Sequence, residues 1–391
     1  MFKLSLLFSL ILLLNEHSNA ETYKVSSSIE FQNLSSRLQP GDEVIIAEGN
    51  YQSWSVEVKS NGNASNPITI RGEGNSATIF SGSFTKCVFK ISGNFVELEN
   101  LSFRNCLLTK ADGSNGTLID LSGVSHCRIK NCTFYDNQSQ IQFLPLIIIS
   151  GTGRSNTIEK CIFIHNINTI DVQVKITDKE TPSYTSISGN IFKNKPKVTW
   201  TNGNGGECIQ IGQDPILLGK KEAFSTIKNN SFLRCDGENE IISNKSSANS
   251  YLNNRFESND GELVLRGGHD CIVDGNVFNG GTGGIRINGT GHKIINNKLS
   301  GIKTAIRLMY GMAKGKAETG FYIAASDCLV SGNKISKANI GIFEGDSKNV
   351  DWTGKFDTKR YPSRVLQDVA PFDNMFLNNT YKNVITDFLK E

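Results

Sequence analysis

Residues 251–256 read YLNNRF and residues 273–278 read VDGNVF, two copies of one pattern set 22 residues apart. An apolar residue, then Asn or a small residue two or three places on, then Phe, Ile, Leu or Tyr five places on recurs along most of the chain. Further copies are LENLSF (98–103), IKNCTF (129–134), IEKCIF (158–163), ISGNIF (187–192), IKNNSF (227–232), INNKL (295–299), VSGNKI (330–335) and FLNNTY (376–381). The closest copies end 24, 22 and 21 residues apart, a length that suits three short strands and their turns. A second series lies between them, including ECIQIG (207–212), NEIISN (239–244), GELVLR (261–266), GGIRIN (283–288) and TAIRLM (304–309), each alternating at period two. No long segment carries helical spacing. A repeat that buries its apolar face only by stacking on its neighbours makes a solenoid. The expected fold is therefore all-β: a single-domain right-handed parallel β-helix with inserted loops. Asn recurring at one turn position should stack from coil to coil, with amides hydrogen-bonded along the axis. The longer steps, 192 to 232 and 299 to 335, mark loops, and loops on a rigid scaffold commonly carry binding groups.

The outer limits of the chain restrict what those loops could serve. Lys3, the apolar run Leu4 to Leu14 and Ser18-Asn19-Ala20 before Glu21 have the form of an export signal. Residues 1–20 are thus expected to be removed, leaving a β-helix domain at 21–391 that is periplasmic or secreted. No later stretch approaches the roughly 18 apolar residues of a membrane span. A net charge of +3 on 391 residues, with no long basic run, argues against non-specific nucleic-acid binding. Nine cysteines are an odd number, and several share a context, as in His126-Cys127-Arg128-Ile129 and Asp270-Cys271-Ile272-Val273. They read as small buried packing residues, with room for one bridge.

Against this background GENEIISNKSSAN (237–249) stands out, since it sets Glu238, Glu240 and Lys245 together in a strand-like stretch. Lys245, Arg266, Arg286 and Arg307 follow one another at 21, 20 and 21 residues, close to one coil each. With strands roughly 4.8 Å apart, they should form a cationic stripe on one face, about 15 Å long. Such a stripe suits an extended polyanion; the plainer reading is a row of solvated side chains on an exposed sheet. Glu238 and Glu240 point to one side of a strand, and two adjacent carboxylates need a cation or a shared proton. A hard divalent ion, Ca²⁺ above all, would suit them, with a third oxygen from Asn202 or Asn204 in TNGNGGE (201–207). Taken alone, the acid pair beside a lysine fits an ordinary ion-pair network equally well. Combined with the arginines, it suggests β-elimination in a uronate polymer, where loss of the C5 proton builds negative charge that a metal ion neutralises. Lys245 would be the base. A guanidinium is essentially never deprotonated in a protein, so Arg266 would stabilise the leaving oxygen or protonate it through water.

These segments resemble polysaccharide lyase family six, the chondroitinase B and alginate lyase family. NGGECIQIG, GENEIISNKSSAN, GELVLRGGHD and GGIRINGTGH occur in order, and the similarity covers most of the chain and is strongest from about 203 to 300. The resemblance implies a right-handed parallel β-helix, Lys245 as Brønsted base and Arg266 as Brønsted acid. It also implies Glu238 and Glu240 as Ca²⁺ ligands, with Asn204 completing the site, and Arg286 as a substrate contact. Arg307 is added to the substrate residues on coil spacing alone. Many members place His directly after the arginine; here Gly267-Gly268-His269 intervenes, which moves the substrate contact expected of His269. The IGQDP segment also lacks the Ser often found after Ile-Gly in the family.

The resulting expectation is an exported Ca²⁺-dependent lyase for an acidic polysaccharide, alginate before dermatan sulfate because the family it resembles contains more alginate lyases and no extra basic groups for sulfate are evident. A non-catalytic glycan-binding β-helix would explain the repeats and the stripe but not the Glu238, Glu240 and Lys245 grouping. A hydrolase would need two acids flanking the scissile bond, one of them protonated.

Overall fold

The structure, a computed structural model, describes residues 20–74, 76–111, 113–214, 221–316 and 320–391. The expected export signal therefore lies outside the described residues, apart from Ala20. The described residues form a parallel β-helix built on three strand ladders. One ladder carries the apolar first residue of each repeat, in the register Ile187, Ile227, Tyr251, Val273, Ile294, Val330 and Phe376. A second carries the closing aromatic, Phe192, Phe232, Phe256 and Phe278, followed by Leu299. The third is built from the intervening series and includes Ile209–Ile211, Glu240–Asn244 and Glu262–Leu265. All three ladders are parallel, the arrangement in which connections between strands take one hand.

The corner between the first two ladders explains the repeat residue by residue. The chain turns there through one residue in the left-handed region: Asn229, Asn253, Asn296 and Asn378 have φ of 55°, 53°, 56° and 54°. Glycine takes the same place at 189, 275 and 332, and Gly and Asn are the residues that adopt this conformation at least cost. The following Asn turns inward. Asn254 donates from its side chain to Ile227 O (2.9 Å) and to Asn276 Oδ1 (3.0 Å), and its own Oδ1 accepts from the backbone N–H and the amide of Asn230. The ladder runs unbroken through Asn190, Asn230, Asn254, Asn276, Asn297, Asn333 and Asn379. In the two preceding coils Cys161 and Cys132 hold its place, by register with Asn190. All nine cysteines are free, and burial pushes the thiols of Cys106 and Cys271 up to about 12, so they are neutral packing groups. Inside, Phe103 through Phe278 form a continuous stack, its last pair, Phe256 and Phe278, at 4.3 Å and 2°.

A helix at Ser28–Ser35, capped by Ser27, presses Phe31 against Trp54 and Phe89 and covers the apolar interior of the first coils. Among the described residues no helix is long and apolar enough to cross a membrane. The long repeat steps do hold insertions. Residues 196–206 lie between the second and third ladders, and residues 310–327 and 347–372 leave the end of the third. The last two are joined by paired hydrogen bonds between Gly311 and Val369.

His292 shows how strictly a corner is specified. Its Nδ1 accepts from Cys271 N (3.1 Å), as Asn Oδ1 does for Ser225 and Cys328 in other coils, and its Nε2 faces Asn288 O (3.1 Å). The first contact requires an unprotonated Nδ1, hence the neutral ring, with its proton on Nε2 facing the carbonyl. Burial holds its pKa down to about 4, so the unfolded chain binds one more proton between that value and the ordinary 6.5. This term is fully stabilising above pH 6.5 and is lost as pH falls toward 4. We predict that His292→Asn, which keeps the acceptor, reduces the loss of unfolding free energy between pH 7.5 and 5 by about 2 kcal/mol in urea titrations.

Candidate active site

The third ladder decides which side chains meet. Ile209 pairs with Ile242 and Asn244 with Leu265, so Glu207 lies one coil from Glu240, and Lys245 one coil from Arg266. Lys245 and Arg266 are thus neighbours on the same face. Arg286 and Arg307 share the face but not the column. They pair with each other and align with Val264 and Ser243, because the coil from Leu265 to Ile287 spans 22 residues, whereas Arg286 follows Arg266 by 20. The expected single stripe is therefore two offset columns, displaced by two residues and still on one side of the strands.

Beside the columns lie three buried carboxylates, Glu207, Glu238 and Glu240, with ligand oxygens all within 4.8 Å of one another. Glu240 is the hub. Its Oε1 accepts from Arg286 Nη2 and lies 3.9 Å from Arg266 Nη1; its Oε2 accepts from Ser243 Oγ and lies 3.9 Å from Lys245 Nζ. Burial works to raise its pKa, but Arg266, Arg286 and Lys245 outweigh it and hold the carboxyl down to about 2. Among the described residues no cation lies within salt-bridge distance of Glu238. It accepts from the backbone N–H of Gly205 and Gly206, and burial together with Glu207 and Glu240 pushes it up to about 9. The Gly-Gly pair is there for space, since a Cβ on Gly206 would lie 2.6 Å from the backbone of Gly237. Lys245 Nζ donates to Ser243 Oγ (2.6 Å) and lies 3.7 Å from Glu207. Among the described residues Glu207 Oε2, Arg266 Nε and Arg286 Nε are buried with no hydrogen-bond partner, which leaves polar valence unmet beside the cleft.

The insertions roof this centre. Arg266 lies 5.1 Å from the rings of both Phe321 and Tyr322, and Tyr322 in turn packs 5.3 Å from Trp352. Asn204 is exposed at the mouth, where it lines the cleft beside Glu238; Asn202 Oδ1 accepts from its N–H. Two expected substrate residues are placed differently. Arg307 is fully engaged by Glu262, through Nε and Nη2, and by Asp346 at 2.8 Å. His269 turns to Asp270 (2.7 Å) and its backbone N–H donates to Ser247; it does not line the cleft, since the two glycines carry it past the end of the strand to the corner.

A model of the chondroitinase B family matches residues 25–389. The chain belongs to that family and is a polysaccharide lyase. The fold is shared with a mannuronic acid specific polysaccharide family 6 lyase from human gut microbiota (24% identity, 95% of this chain and 82% of that one, TM-score 0.78). It is shared also with a PL6 family polysaccharide lyase from Pseudopedobacter saltans (21%, 94% and 92%, TM-score 0.74). The chain spans about half the length of the PL6 alginate lyase AlyGC (22%, 95% and 53%, TM-score 0.69). No curated protein is a significant match to the sequence.

Sequence reasoning missed Glu207 in this lyase, although the signal was present. ECIQI and EIISN begin with the same residue, and in the structure the two strands pair in that register. Phe321, Tyr322 and Trp352 lie in insertions that carry no repeat, and no spacing pointed to them. For Arg307 we expect a structural role. Arg307→Ala would strand Glu262 and Asp346 and lower unfolding free energy by about 2 kcal/mol, while the KM for a polyuronate stays within threefold. A rise in KM at unchanged stability would restore Arg307 to the substrate residues.

Proposed function

We propose that this lyase is an exported, Ca²⁺-dependent enzyme that cleaves alginate by β-elimination. The observation that carries the reading is that one buried carboxylate, Glu240, has the amine of Lys245 and the guanidinium of Arg266 both at 3.9 Å. A base and a charge-stabilising donor thus flank a cluster of acids. Glu207, Glu238 and Glu240 would hold the ion, with Asn204 adding a neutral oxygen at the mouth. Three buried carboxylates within 4.8 Å and an unpartnered Glu207 oxygen fit a hard divalent cation. When bound, the ion neutralises the substrate carboxylate as charge builds on it.

This chain's own groups account for the rest. Lys245 Nζ takes the C5 proton, and the electrons of that bond form the C4–C5 double bond as the C4–O4 bond breaks. Arg266 donates hydrogen bonds to the departing oxygen without losing its own proton, and that oxygen takes its proton from water. Ser243 fixes the lysine amine by accepting its hydrogen bond, and Arg286, beside Glu240, faces the substrate carboxylate. Alginate is favoured over dermatan sulfate because the solved lyases of this fold include enzymes described as alginate lyases and as mannuronic acid specific. The apolar run and Ser18-Asn19-Ala20 support export.

Ultraviolet absorbance of the unsaturated uronate should rise on alginate, and Lys245→Ala should lower the rate by roughly 10² or more. Turnover of dermatan sulfate with alginate untouched would reverse the substrate assignment. In a separate measurement, calorimetric titration of chelator-treated protein with Ca²⁺ should give at least tenfold weaker binding in Glu207→Gln, and Ca²⁺ should restore the chelated enzyme's activity. Full activity in excess chelator would remove the metal from the mechanism.

A further inference from the structure

The cleft has two limbs that meet at Arg266, Glu238 and Asn204. Glu240 and Arg286 line one limb. Lys245 opens into the other, a cavity of about 590 Å³, within the range of sites that hold small ligands. The two limbs differ in how their charges are satisfied. Arg266 and Arg286 are held by Glu240, and Lys197 by Asp260 at 2.6 Å. In the second limb Lys175, Lys355 and Arg360 line the cavity together with Asp357, whose carboxylate accepts from the backbone N–H of Lys359 and Arg360, and among the described residues none of the three cations has a carboxylate within salt-bridge distance. Arg360 instead lies 5.0 Å over the ring of Tyr361.

These cations are not loosely attached to the catalytic groups. Phe356, next to Lys355, stacks on Phe321 at 4.4 Å and 10°, Tyr361 meets Phe321 edge-on at 6.0 Å, and Phe321 lies against Arg266. On the floor, Gln173 donates to Gln210 (2.6 Å) and Gln210 donates to Glu207, a row of buried amides that leads from the carboxylate cluster into the limb. An anionic sugar would meet a surplus of cations over carboxylates, an aromatic wall and a hydrogen-bonding floor there.

We infer that this limb is a subsite for the uronate next to the one attacked, on its reducing-end side, and that Lys355 and Arg360 are specificity-determining residues that take its carboxylate. This rests on the β-elimination reading. Arg266, at the junction, faces the oxygen leaving C4, so the other linkage of the attacked sugar, at C1, leads away from the junction into the limb where Lys245 opens. Charge-assisted contacts to a carboxylate are the strong class of hydrogen bond, so two of them should dominate the recognition of chain length.

The test uses Lys355→Ala, Arg360→Ala and the pair, all exposed positions away from the reacting atoms, with the fold checked by thermal melting. For alginate hexasaccharide we expect the pair to raise KM about tenfold with kcat within twofold, and to raise the share of cleavage that leaves a single residue on the reducing side. Calorimetry in a Lys245→Ala background, where nothing is turned over, should show hexasaccharide affinity about tenfold lower in the pair and disaccharide affinity unchanged. Unchanged hexasaccharide affinity overturns the subsite, and cleavage shifted to the non-reducing end overturns its direction. If the wild type cleaves no polyuronate while the tenfold affinity loss persists, the elimination chemistry fails and the anionic subsite stands.

Discussion

Register between neighbouring coils is the constraint on which the rest of this molecule depends. Lys245 and Arg266, or Glu207 and Glu240, lie far apart in sequence and meet only because each coil stacks on the next without slipping. A slip of one residue would turn every side chain of a strand to the opposite face. Apolar packing resists that slip but sets no fine position, since stacked rings such as Phe232 and Phe256 can slide with small loss. Hydrogen bonds set it. Asn254 and Asn276 each tie their own coil to both neighbours through side-chain and backbone groups in a geometry that one shifted residue would break.

Once register is fixed, the electrostatics of the centre follow from which acid faces which cation. Three carboxylates and three cations share a buried volume, yet their pairing is uneven: Glu240 touches Arg266, Arg286 and Lys245, whereas Glu238 touches backbone N–H groups alone. Burying a charge is costly unless it is paired. Glu240 meets that condition with protein groups and remains ionised. Glu238 does not, and burial beside Glu207 and Glu240 pushes its pKa up. The least compensated acid of the cluster is therefore Glu238, while Glu240 is tied to Lys245 and the arginines.

The repeat, the parallel ladders and the Asn column could be read directly from the sequence because they are periodic, and periodicity is what a linear reading detects. The dipeptides Asn-Asn and Gly-Asn even announced the corner, one residue for the left-handed turn and one for the ladder. Lys245 and Arg266 were legible as neighbours for the same reason, since a column shows as a spacing, and Glu238 and Glu240 as two acids two residues apart in one strand-like stretch. The limits were also physical. Counting residues placed Arg286 and Arg307 in line with Arg266, but coil length varies, and the 22-residue coil after Leu265 displaced them. Whether a cation is free cannot be read from its own position; Arg307 is neutralised by Glu262, two coils back, and by Asp346. The aromatic roof over Arg266 comes from insertions whose conformation no repeat encodes.

Where the Asn ladder begins bears on why the centre lies where it does. Leu101, Cys132 and Cys161 occupy the inward corner position in the early coils, and amides take over from Asn190 onward. A buried leucine or thiol fills that position with little directional demand, which suffices for coils whose task is to extend the interior. The coils that carry Glu207, Lys245, Arg266 and Arg286 all lie within the amide-linked stretch. A reacting constellation tolerates displacements of only about half an ångström, so side chains drawn from successive coils need a scaffold whose spacing is fixed by hydrogen bonds as well as by contact. The amide ladder meets that need from the opposite side of the solenoid, remote from the cleft, where it can be made of neutral buried groups and impose no charge on the chemistry.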